Sequence, residues 1–348
     1  MKLSIKAVLA VAVLAMAFST AISADTTQFA GESMAIGVGA RPLGMGGTFA
    51  AIADDASTSY WNPAGMTNIQ GVEVSSVKLT KINDLDTAYS YVNLVYNTGS
   101  NTTGAPGYGA FGLGWLRQAI SGITLTNTLG QIITDSTENA DNAVYLAYAY
   151  PFTKGFSAGA TVKILLGDYP ALVYDSGSPD GAYSTVSYAG YGLDLGLYLN
   201  VGDAFNLKDL KGLSFGVNAQ DVISAINWNA VAGVSAASTE TIGVNFKPGV
   251  AYRLPIQQFE IIGAVDLDTE YQTIVHAGAE IWWNKMIAVR GGIKSWGSIS
   301  NGAAGGTLSQ APDWSMGASI RWYFIGVDYA YDYNELTPVQ YLSIIGKF

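Results

Sequence analysis

The sequence predicts an all-β fold, a fourteen-stranded antiparallel transmembrane β-barrel with an N-terminal hatch in the lumen. Three observations carry the barrel. The chain is 49% hydrophobic, yet no run of about 18 or more apolar residues follows residue 24, so this apolarity is not organised as a spanning helix. It holds 41 Gly and 21 Tyr in 348 residues with only 13% charged residues, where a soluble domain has about 25%. An apolar outer face bounded by aromatic girdles accounts for that combination. Finally, Leu193, Leu195, Leu197 and Leu199 interleave with Asp194, Gly196, Tyr198 and Asn200, which turns one face to lipid and the other away from it. Leu213 to Ala219 and Trp314 to Trp322 repeat the alternation.

Residues 1–24 carry Lys2 and Lys6, an apolar run over 7–18, then Ala21, Ser23 and Ala24. This is the pattern of a secretory signal peptide, with an apolar run too short to span. Without those two lysines, 15 basic residues face 27 acidic ones, a formal charge of −12, which argues against nucleic acid as a partner, since phosphate binding needs a basic stripe. Residues 25–71 precede the barrel, 72–348, either as a hatch or plug segment in its lumen or as a periplasmic cap with a folding role. Within 39–66 the glycines Gly44, Gly46, Gly47 and Gly65 and the turn-forming Asn62-Pro63 argue for irregular, tightly packed backbone.

The alternation places strands at 72–81, 88–97, 107–117, 142–150, 156–167, 188–201, 212–222, 241–254, 259–268, 274–283, 286–296, 313–324, 326–333 and 341–348. Connection lengths test the count, because bacterial barrels alternate short periplasmic turns with longer outside loops. Residues 118–141, 168–187, 223–240 and 297–312 are long; 151–155, 255–258, 284–285 and 325 are short, and these sets alternate, with 82–87, 269–273 and 334–340 short on the long side and 98–106 and 202–211 longer on the short side. Pro248 makes the eighth strand the weakest, since proline gives the ladder no hydrogen bond. A secreted β-sandwich is the rival fold. The final strand places Leu342, Ile344 and Phe348 on one face and ends on an aromatic residue.

The stretch GARPLGMGGTFAAIADDASTSYWNPAGM, residues 39–66, resembles the N-terminal signature of the PorV/PorQ group of outer-membrane proteins, within the wider FadL-like set. It has the Ala-Arg-x-x-Gly-Met-Gly-Gly run, the Asp54-Asp55 pair and Tyr-Trp-Asn-Pro-Ala-Gly. The resemblance implies a hatch folded inside a fourteen-stranded barrel. Met34, Ile36, Met45, Phe49 and Ile52 then pack the plug, Arg41 lies in its signature run, and Asp54 and Asp55 face water or lumenal cations. Asn62 bonds turn backbone, and Pro63 stiffens it. It also implies that the terminal strand is read by the barrel assembly machinery and that the protein resides in the outer membrane.

Inward faces receive Lys163, Asp194, Arg253, Asp266, Asp268, Glu280, Arg290, Lys294, Arg321, Asp328 and Asp332, because a cation on the lipid face near the midplane costs ~2–4 kcal/mol. Two roles stay open for them: an ion-pair network between hatch and wall, or a site for a substrate carboxylate. His276, the one histidine, falls inward beside Glu280, where a structural hydrogen bond is the commoner role. No Ser elbow accompanies it, so no enzyme is expected. Gly44 to Gly47 lacks the GKS/T ending of a phosphate loop. With one histidine and no cysteine, no metal and no other cofactor is expected. Trp228, in the predicted loop 223–240, is either an entrance site for an amphipathic ligand or an interface anchor. Two functions follow from the resemblance: passage of hydrophobic or amphipathic small molecules, or docking of secreted cargo in type IX secretion.

Overall fold

A computed structural model describes residues 36–81, 87–99, 107–127, 129–173, 182–231, 235–269, 273–294, 313–333 and 338–348. The predicted signal peptide, Met34 and the loop 297–312 lie outside them. Fifteen strands follow in order: β1 (Gly71–Lys81), β2 (Thr87–Asn97), β3 (Ala110–Thr126), β4 (Ile132–Thr153), β5 (Phe156–Val173), β6 (Ala182–Asn200), β7 (Leu213–Trp228), β8 (Ser238–Glu240), β9 (Asn245–Ile256), β10 (Phe259–Asp268), β11 (Ile274–Trp283), β12 (Ile287–Lys294), β13 (Asp313–Trp322), β14 (Ile325–Tyr333) and β15 (Val339–Lys347). Every neighbour is antiparallel. Fourteen of them close a ring: β1 pairs with β15, with Val77 opposite Ser343, and β7 joins β6 to β9. The three-residue β8 pairs only with the end of β7. Closure leaves no lipid-exposed edge, which is the condition for strands to cross a membrane.

Side-chain direction follows the alternation. Leu195 and Leu197 are exposed while Gly196 and Tyr198 are buried, and Met316 and Ile320 are exposed while Ser315 and Ser319 are buried. Exposed Trp283, Trp322, Tyr323, Phe324 and Phe348 ring the short-turn end. Near the other end Trp314 stacks on Tyr333 with centroids 5.3 Å apart. Such belts sit where hydrocarbon gives way to headgroups. Leu195→Arg is therefore expected to destabilise the folded barrel by ~2–4 kcal/mol if it lies near the midplane, read as a shifted urea midpoint by heat-modifiable gel migration. An unshifted midpoint for Leu195→Arg would reverse the facing; Gly196 is no tolerant control, because a Cβ there would stand 2.3 Å from Asn62 Oδ1.

Four predicted segments are corrected. Residues 118–141, expected as a loop, are mostly strand: β3 and β4 run on to a tight end where the Asn127 side chain accepts from Leu129 N and Gln131 N. Likewise β5 and β6 shorten the expected loop 168–187, and β7 that at 223–240. A strand needs only about 9–11 residues to cross, and β4 has 22. Beyond the lipid both faces meet water, so the alternation that marks a strand fades. The predicted eighth strand, 241–254, starts later, as β9 at Asn245, with 241–244 outside any ladder and the short β8 before them.

Candidate functional site

Residues 36–70 connect to β1 through two one-turn helices, α1 (Ala40–Leu43) and α2 (Thr58–Trp61), and a 3-10 turn, Pro63–Asn68. Backbone this irregular leaves amides and carbonyls without ladder partners. Wall side chains supply them. Ala40 N donates to Ser343 Oγ on β15 (2.8 Å), Gly46 N to Ser315 Oγ on β13 (2.9 Å), and Phe49 N and Ala50 N to Asp266 Oδ2 on β10 (2.7 and 2.8 Å). Ala56 N donates to Glu73 Oε1 on β1 (2.8 Å). In the other sense, Ser214 Oγ on β7 donates to Ala51 O, and Ser157 Oγ on β5 to Ala64 O. Asn62 Nδ2 donates to Ala50 O and to Leu197 O on β6, while Asn62 Oδ1 accepts from Ala64 N. These partners lie on β1, β5, β6, β7, β10, β13 and β15, strands spread round the ring.

The predicted glycines lie at close approaches. A Cβ on Gly46, whose φ is +71°, would meet the Ile293 backbone at 2.8 Å, and one on Gly65 would stand 2.3 Å from Ala53 Cβ. Gly44 abuts Arg290 and Gly47 faces His276. Pro63 opens the 3-10 turn. Met45, Phe49 and Ile52 are buried in the core, and Ile36 packs against it. The His276 Nδ1–H donates to Gly46 O (2.6 Å), so its partner is the segment rather than Glu280.

The charges assemble into separate groups. Arg41, on α1, binds Glu280 (2.8 Å), Asp55 (3.2 Å) and Asp54. Glu280 also binds Arg290 (2.8 Å), and Asp328 joins Arg290 (3.7 Å) to Arg321 (2.8 Å). Arg253 ties Asp54 to Glu260. Elsewhere Lys163 holds both Asp194 (2.8 Å) and Asp221 (2.6 Å), Lys247 pairs with Asp268 and Lys294 with Asp332. Asp266 takes segment amides. Each cation proposed for a substrate carboxylate already has a protein carboxylate. Asp221, Glu73, Lys247 and Asp141 were not anticipated. For Asp221 the signal was two successive polar residues, Gln220-Asp221, in an alternating strand.

Burial alone would raise the Asp54 carboxyl, but Arg41 and then Arg253 hold it well below the usual carboxylate range. A carboxyl depressed on folding contributes its stability above its unfolded value, and that is lost only as pH falls through the lower folded value. The contribution of Asp54 to holding the segment should thus be unchanged between pH 8 and 5, read as an equal effect of Asp54→Asn on ionic conductance in planar bilayers at both pH values. An Asp54→Asn effect present at pH 8 and gone at pH 5 would contradict the depressed carboxyl.

The wall is interrupted at β7. Leu193 of β6 faces Ile223, but Leu195 faces Ala219, so β7 carries two extra residues opposite Asp194. Asp221 there has φ +55°, and its N–H donates to Asp194 Oδ1 (2.9 Å). Two extra residues preserve the inward and outward parity while bending the strand. On the other side the β7–β9 ladder stops at Gln220 opposite Asn245 and the β7–β8 ladder resumes at Ile226 opposite Glu240. Across that gap Ser224 Oγ accepts from Ile242 N and donates to Ile242 O. The β9–β10 ladder begins only at Gly249, after Pro248, and Asn245 and Thr269 side chains bridge the remainder. Toward the long-loop end, Trp228, expected in a loop, ends β7 and packs on Tyr188 (4.9 Å) and Tyr169 (5.5 Å), whose hydroxyls both donate to Asp141 Oδ1.

A family model described as "Uncharacterised protein family (UPF0164)" matches residues 6–346. A comparison with curated proteins finds no match. Solved structures of the same fold include the toluene transporter TbuX of Ralstonia pickettii, 15% identical, with a TM-score of 0.56 over 90% of this chain and 98% of that one. The CymD monoaromatic hydrocarbon channel is also 15% identical, with a TM-score of 0.57 over 90% and 98%. A FadL homologue of Pseudomonas aeruginosa is 11% identical, with a TM-score of 0.50 over 88% and 97%. At these identities the likeness extends to the fold, a FadL-like barrel.

Proposed function

The chain belongs to the uncharacterised protein family UPF0164, and we propose that it acts in the outer membrane as a FadL-like conduit for hydrophobic or amphipathic small molecules. The observation that carries this reading is the double interruption of the ladder around residues 241–248. In lipid, backbone groups must be satisfied within the protein. Here single side chains, Ser224, Asn245 and Thr269, do what a continuous ladder does elsewhere. A seam held by a few side chains opens at less cost than one held by a ladder. A passenger captured near Tyr188 and Trp228 would move past residues 25–71, which act as the hatch, and leave sideways through the seam. The printed descriptions of the neighbouring barrels, a toluene transporter and a hydrocarbon channel, support the same class of passenger. Outer-membrane lipid surrounds the wall, and the assembly machinery would read the strand ending in Phe348 after export by the N-terminal signal.

Kinship with PorV/PorQ would favour a second role, docking of secreted cargo. An unbroken wall would support that role, and this wall is broken. The test uses the absence of native cysteine. With Ser224→Cys and Ile242→Cys joined by a short bis-maleimide, uptake of the hydrophobic dye N-phenylnaphthylamine by cells expressing the protein should fall to that of cells without it. The unlinked double variant should take up dye normally. Uptake that survives cross-linking would dismiss the seam as the route.

A further inference from the structure

Independently of what the barrel carries, we propose that residues 36–70 have a second function: they are the template that sets the register in which the ring closes. Each ladder of the ring except one joins strands that follow each other along the chain, with only the short β8 between β7 and β9. Connections of that kind fix register through the length of the turn. The exception is β1 with β15, the first strand with the last. Facing does not fix it either. A slip of one residue would turn every side chain of a strand over, but a slip of two keeps each on its own face. Val77, opposite Ser343, would then meet Tyr341 or Ile345, and all three are buried on the inner face. The closing register also sets the stagger of the strands, and with it the width of the lumen.

The segment bonds to both sides of this closing pair at fixed heights. On one side Glu73 Oε1 of β1 accepts from Ala56 N (2.8 Å), and on β2 Asn93 Nδ2 donates to Ala56 O and Asn97 Nδ2 to Ile69 O (2.7 Å). On the other, Ser343 Oγ of β15 accepts from Ala40 N (2.8 Å) and Ser315 Oγ of β13 from Gly46 N (2.9 Å). Glu73 also reaches across, since its Oε2 pairs with Lys347 Nζ (2.9 Å). The two groups of contacts are braced against each other within the segment: Trp61 Nε1 donates to Val38 O (2.7 Å) and Asn68 Nδ2 to Ala53 O (3.1 Å). A slip of two residues would carry Ser343 about 7 Å along the strand, out of reach of Ala40 N, and leave that buried amide without its acceptor. At the short-turn end of the closing pair a cavity of about 490 Å³ lies among Asp54, Asn68, Gln70, Glu73, Lys347 and Phe348. Polar links rather than close packing therefore join segment and wall there.

The experiment reads register by disulfide formation in the full chain, which has no native cysteine. Ser76 stands opposite Ile344, and a slip of two would put Leu342 or Gly346 there instead. Ser76→Cys is combined in turn with Ile344→Cys, Leu342→Cys and Gly346→Cys, and assembled protein, identified by heat-modifiable migration, is oxidised with copper phenanthroline. Directly opposed residues can bridge, whereas those with Cα atoms more than about 7 Å apart cannot. In the otherwise native chain only the pairing with position 344 should form. Adding Ser343→Ala and Glu73→Met, which removes the segment's acceptors on β15 and β1, should raise the slipped products at least about tenfold, as the loss of two buried hydrogen bonds allows. Lys347→Met, which removes the cross-strand ion pair and no bond to the segment, should leave the native product alone. If the doubly altered chain does not assemble, Ser343→Ala by itself should give the same slipped products in lower yield. Native register in every assembled variant that lacks a segment acceptor overturns the template. Equal slippage in Lys347→Met overturns it too, since the ion pair would then set the register.

Discussion

Deleting residues 28–66 should turn a closed barrel into an open pore. A barrel of fourteen strands encloses a lumen wider than its own side chains fill, and here the inward wall is cut back to receive the segment. A Cβ on Gly216 would stand 1.8 Å from Ala50 O, and one on Gly278 2.3 Å from Met45 O. No wall side chain at those places can refill the space. The ladders themselves run strand to strand, and the bond from Asn62 Nδ2 to Leu197 O is additional to them, so the shortened protein should still insert and show heat-modifiable migration. Planar-bilayer recordings should give little conductance for the intact chain and a large, steady one for the deletion. If both fold and conduct alike, the segment does not close the lumen, and the docking role replaces gated passage.

The wall was legible where lipid enforces a one-sided pattern. The predicted strands 259–268 and 274–283 match β10 and β11 to the residue, because every second side chain there meets hydrocarbon. Where β3 and β4 rise above the membrane the constraint is gone, and Ser, Thr and Asn on both faces read as loop. Parity also placed Lys163, Glu280 and Asp328 inward, since it follows from energy alone. What parity lacks is height and partner. Nothing local in the sequence ties Arg41 to Glu280, 239 residues away, or shows that Lys163 is divided between Asp194 and an aspartate raised on a bulge. The glycines of the wall were counted but not understood. Inward Gly216 and Gly278 record where another backbone lies, and that relation appears only once the ring is closed.

Arg41→Gln should release the segment without dismantling the barrel. The Arg41 side chain is 7% exposed, meets carboxylates of Glu280, Asp54 and Asp55, and lies over the rings of Phe49 (5.4 Å) and Trp282 (5.8 Å). Removing one member of a buried ion pair costs roughly 3–5 kcal/mol, because its partners remain buried with their charge uncompensated. Glu280 keeps Arg290 and the Trp282 indole N–H, and Asp54 keeps Arg253, which puts the expected loss toward the lower end. That loss falls on the contact between segment and wall, since the strand ladders use none of these side chains. The variant should therefore assemble normally and conduct in intermittent openings, unlike the steady pore of the deletion. Glu280→Gln should behave similarly, and the double variant should lose less than the sum of the two, as expected for residues sharing one interaction. Arg321→Gln is the control, because Arg321 pairs with Asp328 and stands over Trp282, all on the wall; it should stay closed. If Arg41→Gln is as quiet as Arg321→Gln, the segment is held by its backbone hydrogen bonds to Ser343, Ser315 and Asp266, and the ion pair is not the pin.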